Sequence, residues 1–368
     1  MLNPGASNPI ASNLGGWFHD LSPFLIRFTE SFGIRWYGVS YVLGFVCAYL
    51  LLRFLAKRNA TKIPLQAAGD AIMLMIVGVV IGGRLGYVFL YKPSLLWDFS
   101  SSAPWWGVFA INKGGMSSHG GIIGVILACW RVSRGFKDET GARIGRCPPI
   151  HVMDVAALIG PIGLMFGRLA NFINGELLGK VISNPGQPAP AYAVRYPQEI
   201  TDLAPEHLIQ TPEQMEEIMR MSMMHMLPGE THWQDGYARV LELIQRGDSG
   251  LKAQLEPLIS ARYPTQLMQA GFDGLLVCVV VWFVAMKPRK PGVLGAWFML
   301  VYGLGRIPMD LVRLPDEGVA QFGFMTRGQL YSALMVLTGI ILFIWTRRSR
   351  LEPMGGWLKK SSQPVVED

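Results

Sequence analysis

The chain contains little charge. Only 16% of its 368 residues are Asp, Glu, Lys or Arg, against roughly 25% in soluble globular proteins. Apolar residues make up 51% of the sequence. This balance excludes an ordinary soluble enzyme, a disordered tail and a disulfide-rich secreted domain. It predicts a membrane protein with several spans.

Cysteine and secretory features are scarce as well. The four cysteines show no C-x-x-C or zinc-type spacing, so the sequence implies no metal site and no redox site. The first 17 residues are polar and rich in Gly and Pro, and they lack a basic segment. We therefore expect no cleavable signal peptide and expect the first span itself to direct insertion.

Long apolar runs are what the sequence does contain. Seven of them are long enough, at about 20 residues each, to cross a hydrocarbon core of about 30 Å. They cover residues 37–56, 67–90, 119–134, 151–171, 266–286, 292–312 and 328–346. We predict an all-α polytopic membrane protein with about seven transmembrane helices and a small extracytoplasmic domain.

The distribution of charge predicts the orientation. Basic residues cluster after the first, third, fifth and seventh runs, and basic loops stay in the cytoplasm. The N-terminus is therefore expected outside and the C-terminus inside. The connection 180–262 holds 11 acidic and seven basic residues, a net charge of −4, and the rest of the chain carries +11. The basic excess thus reports topology, and nucleic acid is discounted as a partner.

Four parts of the chain follow from this topology. They are 1–179, helices one to four with an N-terminal extracytoplasmic arm; 180–262, an extracytoplasmic head domain; 263–350, helices five to seven; and 351–368, a cytoplasmic tail. Inside the head domain we predict an amphipathic helix that begins near Thr211 and ends before Pro228. Six methionines lie between 215 and 226 with His225. They indicate a packed helix or, alternatively, a soft-metal site.

Ionisable groups within membrane spans are costly and are therefore functional candidates. The stretch GRLANFINGELLG, 167–179, ends the fourth run with Arg168, Asn171, Asn174 and Glu176. Arg168 and Asn171 share a helix face, and an arginine fork matches a phosphate. Glu176 is expected to pair with an arginine or to contact a hydroxyl. A purely structural polar patch is the alternative interpretation.

A second polar stretch, VYGLGRIPMDLVRLPDEG, covers 301–318. Its spacing places Tyr302, Arg306, Asp310 and Arg313 along one helix face, with Arg306 and Asp310 as an i,i+4 ion pair. Pro308 is expected to loosen this helix and to free a carbonyl. Two arginines from two spans, each beside a carboxylate, predict an intramembrane site for an anionic headgroup.

Four further residues are candidates, and three of them have two interpretations each. Arg84, in GGRLGY, could reach the membrane interface or bind a lipid phosphate. His119, between two glycine pairs, could be structural or could accept a proton from a substrate. Asp154 could only complement the dipole of its helix. Tyr37 could be an aromatic anchor at the interface or a substrate contact.

Six stretches in this order together resemble the bacterial phosphatidylglycerol–prolipoprotein diacylglyceryl transferases. They are IRWYG (34–38), GGRLGY (82–87), SHGGIIG (118–124), GRLANFINGELLG (167–179), YGLGRIPMD (302–310) and RGQL (327–330). The resemblance implies seven spans in the inner membrane with the N-terminus outside. It also implies transfer of the sn-1,2-diacylglyceryl group of phosphatidylglycerol to the lipobox cysteine of a prolipoprotein signal peptide. The products are a thioether and glycerol-1-phosphate.

The resemblance also implies functional residues. The family's essential positions correspond to Tyr37, His119, Arg168, Asn171, Glu176, Gly179 and Arg306 of this chain. Asp310 stands where the family usually has Glu, Tyr263 where many relatives have His, and Met268–Gln269 where Tyr–Glu is common. The stretch 200–260 is long for the family. These departures affect peptide docking rather than the reaction class.

We expect a direct displacement without cofactor or metal. A thiolate would attack the glycerol C3 carbon, and Arg168 and Arg306 would stabilise the leaving phosphate. Asn171 and Tyr37 would orient the headgroup, Glu176 and Asp310 would hold the arginines, and His119 would be the base. A lipid or anion transporter, a receptor or scaffold and an intramembrane protease are the competing classes. The chain lacks the repeats of a transporter and the Ser/His, paired-Asp or H-E-x-x-H pattern of a protease.

Overall fold

A computed structural model describes residues 14–28, 33–101, 104–110, 114–314 and 325–358. It divides into two compact units. Unit 1 comprises residues 1–41, 165–272 and 305–331, and unit 2 comprises 42–164, 273–304 and 332–368. The first 13 residues of the predicted N-terminal arm and the end of the predicted tail, 359–368, lie outside the described residues.

Helices occupy all seven predicted apolar runs. They are α1 (Trp36–Lys57), α2 (Ala68–Leu90), α3 (Ser118–Ser133), α4 (Pro149–Asn174), the helix Thr265–Val284, α11 (Val293–Val312) and α12 (Arg327–Arg348). Between α4 and α11 come α5 (Glu199–Asp202), α6 (Pro212–Met223), α7 (Trp233–Gln245) and α8 (Ser249–Leu255). The helix Thr265–Val284 consists of α9 (Thr265–Gln269), a π-helical turn at Ala270–Leu276 and α10 (Val277–Val284).

Five helices within the described ranges are long and apolar enough to cross a membrane: α1, the one containing α2, α4, Thr265–Val284 and α12. The chain is therefore a mostly helical, polytopic membrane protein. The other two predicted spans do not meet both conditions. Helix α3 has 16 residues and is about 24 Å long at 1.5 Å per residue. Helix α11 has the length, but Arg306, Pro308 and Asp310 lower its hydropathy.

The prediction of an all-α chain did not include short strands, and unit 1 contains a four-stranded sheet. Its strands are β1 (Trp17–Phe18), β6 (Val181–Ser183), β7 (Val194–Arg195) and β8 (Ala261–Arg262), in the order β1-β7-β8-β6. Strand β1 runs parallel to β7, whereas β8 pairs antiparallel with both β7 and β6. Strands of two or three residues are too short to show an alternating pattern, so the sequence did not reveal them. Two antiparallel pairs join β2 (Phe24–Arg27) with β3 (Gly33–Arg35) and β4 (Phe136–Lys137) with β5 (Arg143–Ile144).

The predicted Met-rich helix is present as α6. Thr211 caps it with a capping box, in which Thr211 Oγ1 accepts from Gln214 N at 3.3 Å and Gln214 Oε1 accepts from Thr211 N at 2.9 Å. Met221 is buried in a cluster with residues of α7 and α8, whereas Met223 and Met224 are exposed. The methionines therefore point in different directions, as expected of a packed amphipathic helix.

In unit 2, α2 and α3 pack backbone against backbone. A Cβ on Gly82 would lie 2.4 Å from the carbonyl oxygen of Gly120, and one on Gly124 would clash with the carbonyl oxygen of Gly78. Only glycine permits this approach, as at other helix contacts built on small residues. The contact fixes the start of α3 against α2, and hence the positions of His119 and Arg84 within this unit.

Asp154 lies on α4, but its side chain caps the start of α11. Its carboxylate accepts from Gly292 N and from Gly295 N, both at 2.7 Å, at the start of α11. A carboxylate at a helix N-terminus satisfies amides that have no partner within the helix and favours the positive end of the dipole. The sequence interpretation assigned Asp154 to the dipole of α4, whereas the hydrogen bonds join it to α11.

Candidate active site

The polar end of α4 is shaped by a Schellman motif. Gly175 has φ +69°, a left-handed conformation that ends the helix at little cost. Gly175 N donates to Phe172 O and Glu176 N donates to Asn171 O, both at 3.0 Å. These two bonds turn the chain back on the last helical turn. These local hydrogen bonds place Glu176 beside Asn171.

Tyr37 joins this end of α4 from the start of α1. Its hydroxyl donates to Glu176 Oε2 at 2.6 Å and accepts a short hydrogen bond from Asn171 Nδ2. The three side chains are half-buried and form a chain of donors that ends on a carboxylate. Such an arrangement fixes each group in one orientation. Of the two partners expected for Glu176, the structure shows the hydroxyl.

Two other predicted residues lie on α4. Arg168 is half-buried and precedes Asn171 by three residues, so both lie on one face of the helix. Asn174 is the last helical residue, and its Oδ1 is buried without a hydrogen-bond partner within the part of the chain that the structure describes. An unsatisfied buried acceptor of this kind costs about 1–3 kcal/mol. A hydroxyl donor from a bound molecule would remove that cost.

Gly179 lies where three segments of unit 1 meet. It forms a β-bridge with Arg313, just beyond the end of α11, and Lys180 N donates to Val312 O at 2.8 Å. A Cβ on Gly179 would lie 2.3 Å from Tyr263 O and 2.8 Å from Tyr263 Cβ. Any side chain at 179 would therefore push the chain away from residue 263.

Arg306 and Asp310 are half-buried and one helical turn apart on α11. Asp310 Oδ2 accepts a short hydrogen bond from Thr326 Oγ1, which ties the end of α11 to the start of α12. A Cβ on Gly328 would lie 2.7 Å from Asp310 Oδ1, so the backbone of α12 approaches this carboxylate closely. Residues 315–318 of the predicted stretch lie outside the described residues.

Tyr302, Arg84 and His119 belong to unit 2. The Tyr302 ring stacks on Phe298 with centroids 5.8 Å apart and packs against the apolar core of this unit. His119 lies exposed in the first turn of α3. Ser117 caps that turn, because its Oγ accepts from Gly120 N at 3.2 Å.

Arg84 is buried and bonded to backbone carbonyls. Its Nε donates to Val108 O at 2.7 Å and one terminal nitrogen donates to Gly107 O at 2.7 Å. The other donates to Gly114 O at 2.7 Å and to Gly115 O at 3.0 Å. Four of the five N–H groups of a guanidinium are thereby in use. The geometry is that of a side chain that shapes the loop before α3.

Sequence reasoning missed several buried polar residues near the end of α4. His19 Nε2 donates to Phe172 O at 2.7 Å, and Gln198 Nε2 donates to His19 Nδ1 at 3.1 Å. Burial lowers the pKa of His19. Arg262 and Glu199 form a fully buried ion pair of 2.6 Å. Their partners are far away in the sequence, so no local pattern could reveal them.

The helices define a polytopic membrane protein, and the end of α4 carries a hydrogen-bonded cluster of hydroxyl, amide and carboxylate groups. Residues 23–345 match the family model described as prolipoprotein diacylglyceryl transferase. A phosphatidylglycerol–prolipoprotein diacylglyceryl transferase of Bdellovibrio bacteriovorus is 40% identical over 362 residues, which covers 94% of this chain and 98% of that protein. Proteins of the same name from Stenotrophomonas maltophilia and Chromohalobacter salexigens are 32% and 30% identical and cover 90% and 91% of this chain, and 94% and 96% of their own lengths.

The chain belongs to the prolipoprotein diacylglyceryl transferase family. The family model alone covers most of the chain, from β2 into α12. The resemblance inferred from six short stretches of sequence is thereby confirmed.

Proposed function

We propose that this protein transfers the sn-1,2-diacylglyceryl group of phosphatidylglycerol to the lipobox cysteine of prolipoproteins. A sulfur–carbon bond forms at glycerol C3 while the bond between C3 and the phosphate oxygen breaks. Glycerol-1-phosphate leaves with that oxygen, and the lipoprotein keeps a thioether. The reaction needs no cofactor, because the thiolate is itself a strong nucleophile.

The observation that carries this proposal is the polar end of α4 in a chain of this family. Asn171, Tyr37 and Glu176 are joined by hydrogen bonds, and Arg168 lies one turn away on the same helix face. An arginine fork binds phosphate oxygens in a bidentate manner. Held next to fixed amide and hydroxyl groups, it is suited to a phosphoglycerol headgroup.

The residues have distinct proposed roles. Arg168 and Arg306 stabilise the charge that develops on the leaving phosphate, and preorganised donors of this kind are each worth about 10²–10³ in rate. Asn171 and Tyr37 orient the headgroup, and Asn174 Oδ1 accepts from a glycerol hydroxyl. Arg313 is proposed as an additional contact to the anionic lipid.

The remaining predicted residues support these groups. Glu176 and Asp310 hold other side chains in place, because both already accept hydrogen bonds from hydroxyls of the protein. Gly179 allows the close approach to residue 263. Tyr302 is proposed to border the acyl chains, and Arg84 is proposed to act through the loop that it binds. His119 is the candidate to accept the thiol proton, a role in which histidine is the most common side chain.

We further propose that α3 and α11 complete a set of seven spans in the inner membrane. The N-terminus would lie outside, 180–262 would form an extracytoplasmic head, and the C-terminal tail would lie in the cytoplasm. The charge pattern of the loops supports this orientation. Cysteines introduced at the exposed positions Thr140 and Thr231 test it in intact spheroplasts. A membrane-impermeant maleimide should label only the Thr231→Cys variant. Labelling of the Thr140→Cys variant instead would show that the topology is the reverse of the one proposed.

One assay tests the activity. Purified protein is mixed with phosphatidylglycerol vesicles and a peptide that carries a lipobox cysteine, and glycerol phosphate release and peptide mass are followed. We expect release in step with a diacylglyceryl mass increase, and neither with a Cys→Ser peptide. Folded protein that releases no glycerol phosphate but moves lipid between leaflets would favour a transporter, the alternative that also explains intramembrane arginines.

A further inference from the structure

The segment 176–180 links two proposed site residues, Glu176 and Gly179, and its backbone carbonyls are held by one neighbouring stretch. Gln266 Nε2 donates to Glu176 O in a short hydrogen bond, and Thr265 Oγ1 donates to Leu177 O at 3.0 Å. Tyr263 N donates to Lys180 O at 3.1 Å. The path of this segment is therefore set by the residues that follow β8.

Arg262, the last residue of β8, holds the carbonyl of Gly179 itself. It is fully buried, and one terminal nitrogen donates to Gly179 O at 3.2 Å. Its Nε donates to Glu199 Oε2 at 2.6 Å, and its other terminal nitrogen donates to His207 O at 3.4 Å. The planar fork thus binds three partners in three directions, which the single ammonium of a lysine cannot reproduce.

Glu199 is fixed as firmly as its partner. It is fully buried at the start of α5 and accepts from Ser260 N at 2.9 Å, from Ser260 Oγ at 2.5 Å and from Gln210 Nε2 at 2.6 Å, besides Arg262. A buried ion pair is weak evidence of stabilisation, because desolvation offsets the attraction. Four donors on one carboxylate instead specify a single geometry. Because Arg262 binds both Glu199 and Gly179 O, the fixed position of Glu199 also fixes the position of Gly179 O.

We propose that Arg262 is a positioning residue for the transfer reaction, acting through the carbonyl of Gly179 to hold segment 176–180 in its reactive arrangement. Glu199 aligns the guanidinium, so that residues of the predicted head domain contribute to the site without touching substrate. The inference rests on the proposed function of Glu176 and Gly179. A displacement of about 1 Å at a reacting group can lower a rate about 10²-fold.

The test compares Arg262→Lys with Arg195→Lys in the full-length protein. Arg195 is an equally buried arginine on the adjacent strand β7. It donates to Ile259 O and to Gln187 O at 2.7 Å and to Leu14 O at 3.3 Å. None of these bonds reaches 176–180. Both variants therefore lose the fork of a buried arginine, but only one loses the bond to Gly179.

We expect Arg262→Lys to lower kcat at least about tenfold per folded molecule, with KM for phosphatidylglycerol within about threefold of the wild type. Arg195→Lys should keep the kcat of the wild type even if its melting temperature falls equally. Amide hydrogen exchange in 176–180 should quicken only in Arg262→Lys. Equal kcat in the two variants, or unchanged exchange, would overturn the proposal.

If the Arg262→Lys variant does not fold, the less disruptive variant Ser260→Ala tests the same proposal. Ser260→Ala removes one of the four donors to Glu199 and no charge. It should lower kcat about threefold or more at unchanged KM, and a kcat equal to that of the wild type would count against the proposal. A wild-type protein that releases no glycerol phosphate would instead refute the proposed function. This outcome is therefore distinguishable from a failure of the positioning role of Arg262.

Discussion

Replacing Tyr37 with Phe tests the hydrogen-bonded cluster at the end of α4. The change removes only the hydroxyl, which donates to Glu176 Oε2 at 2.6 Å and accepts from Asn171 Nδ2. The ring stays, so packing at the start of α1 is preserved. Glu176 and Asn171 each lose a partner and become free to reorient.

The expected magnitude follows from the type of bond. A hydrogen bond to a charged acceptor contributes about 1.5–3 kcal/mol, and about 1.4 kcal/mol corresponds to a tenfold rate effect. If the cluster holds the headgroup in the transition state, kcat/KM should fall roughly 10- to 150-fold. The three side chains are half-buried, so water can replace part of the lost bonding. The effect on stability should therefore be smaller than the effect on activity.

The assay is glycerol phosphate release from phosphatidylglycerol with a lipobox peptide, measured per folded molecule. Tyr49→Phe is the matched control, since Tyr49 lies on the same helix 12 residues further on, about 18 Å away along the axis. Its ring faces the guanidinium of Arg53 at 5.6 Å, a contact that Phe keeps. A Tyr37→Phe variant with kcat/KM within about twofold of Tyr49→Phe would refute the orienting role of the cluster.

Three further predictions concern single groups. Arg168→Lys should lose most activity, because lysine lacks the bidentate fork for phosphate; turnover near that of the wild type would exclude a phosphate clamp. His119→Gln should lower kcat by about 10²–10⁴-fold if the imidazole accepts the thiol proton; a loss below about threefold would leave His119 only a positioning role. Burial lowers the pKa of His19 in the folded protein below its ordinary 6.5. The unfolded chain therefore binds a proton at His19 more readily than the folded protein does. As a result, the contribution of His19 to stability is lost as the pH falls below about 6.5. The melting temperature in detergent should decline over that range less steeply in His19→Gln than in the wild type, and equal slopes would contradict this assignment.

Local features of the sequence predicted the helices well. The apolar runs at 37–56 and 151–171 became α1 and α4 with boundaries within about three residues. The prediction was less complete where polar residues interrupt an apolar run, as in α11, or where a run is short, as in α3. There the length and hydropathy of a helix do not by themselves indicate a span, and the count of seven stays a prediction.

The candidate site was predictable only where its residues are close in sequence. Asn171 and Glu176 follow from the end of one helix and a glycine turn, whereas the bond from Tyr37 joins residues 139 positions apart. Arg84 shows the limit most clearly. The local sequence of an arginine beside glycines is the same whether the arginine binds a lipid phosphate or, as here, four backbone carbonyls.

The sequence by itself determined the class of the protein, the positions of its long helices and the family to which it belongs. These depend on composition, on apolar periodicity and on short motifs, all of which are local properties of the chain. The tertiary structure alone decided which polar groups meet: Tyr37 with Glu176, Asp154 with α11, and Arg262 with Glu199 and Gly179. Such pairs are set by packing between distant segments, since each buried polar group must find its partner there.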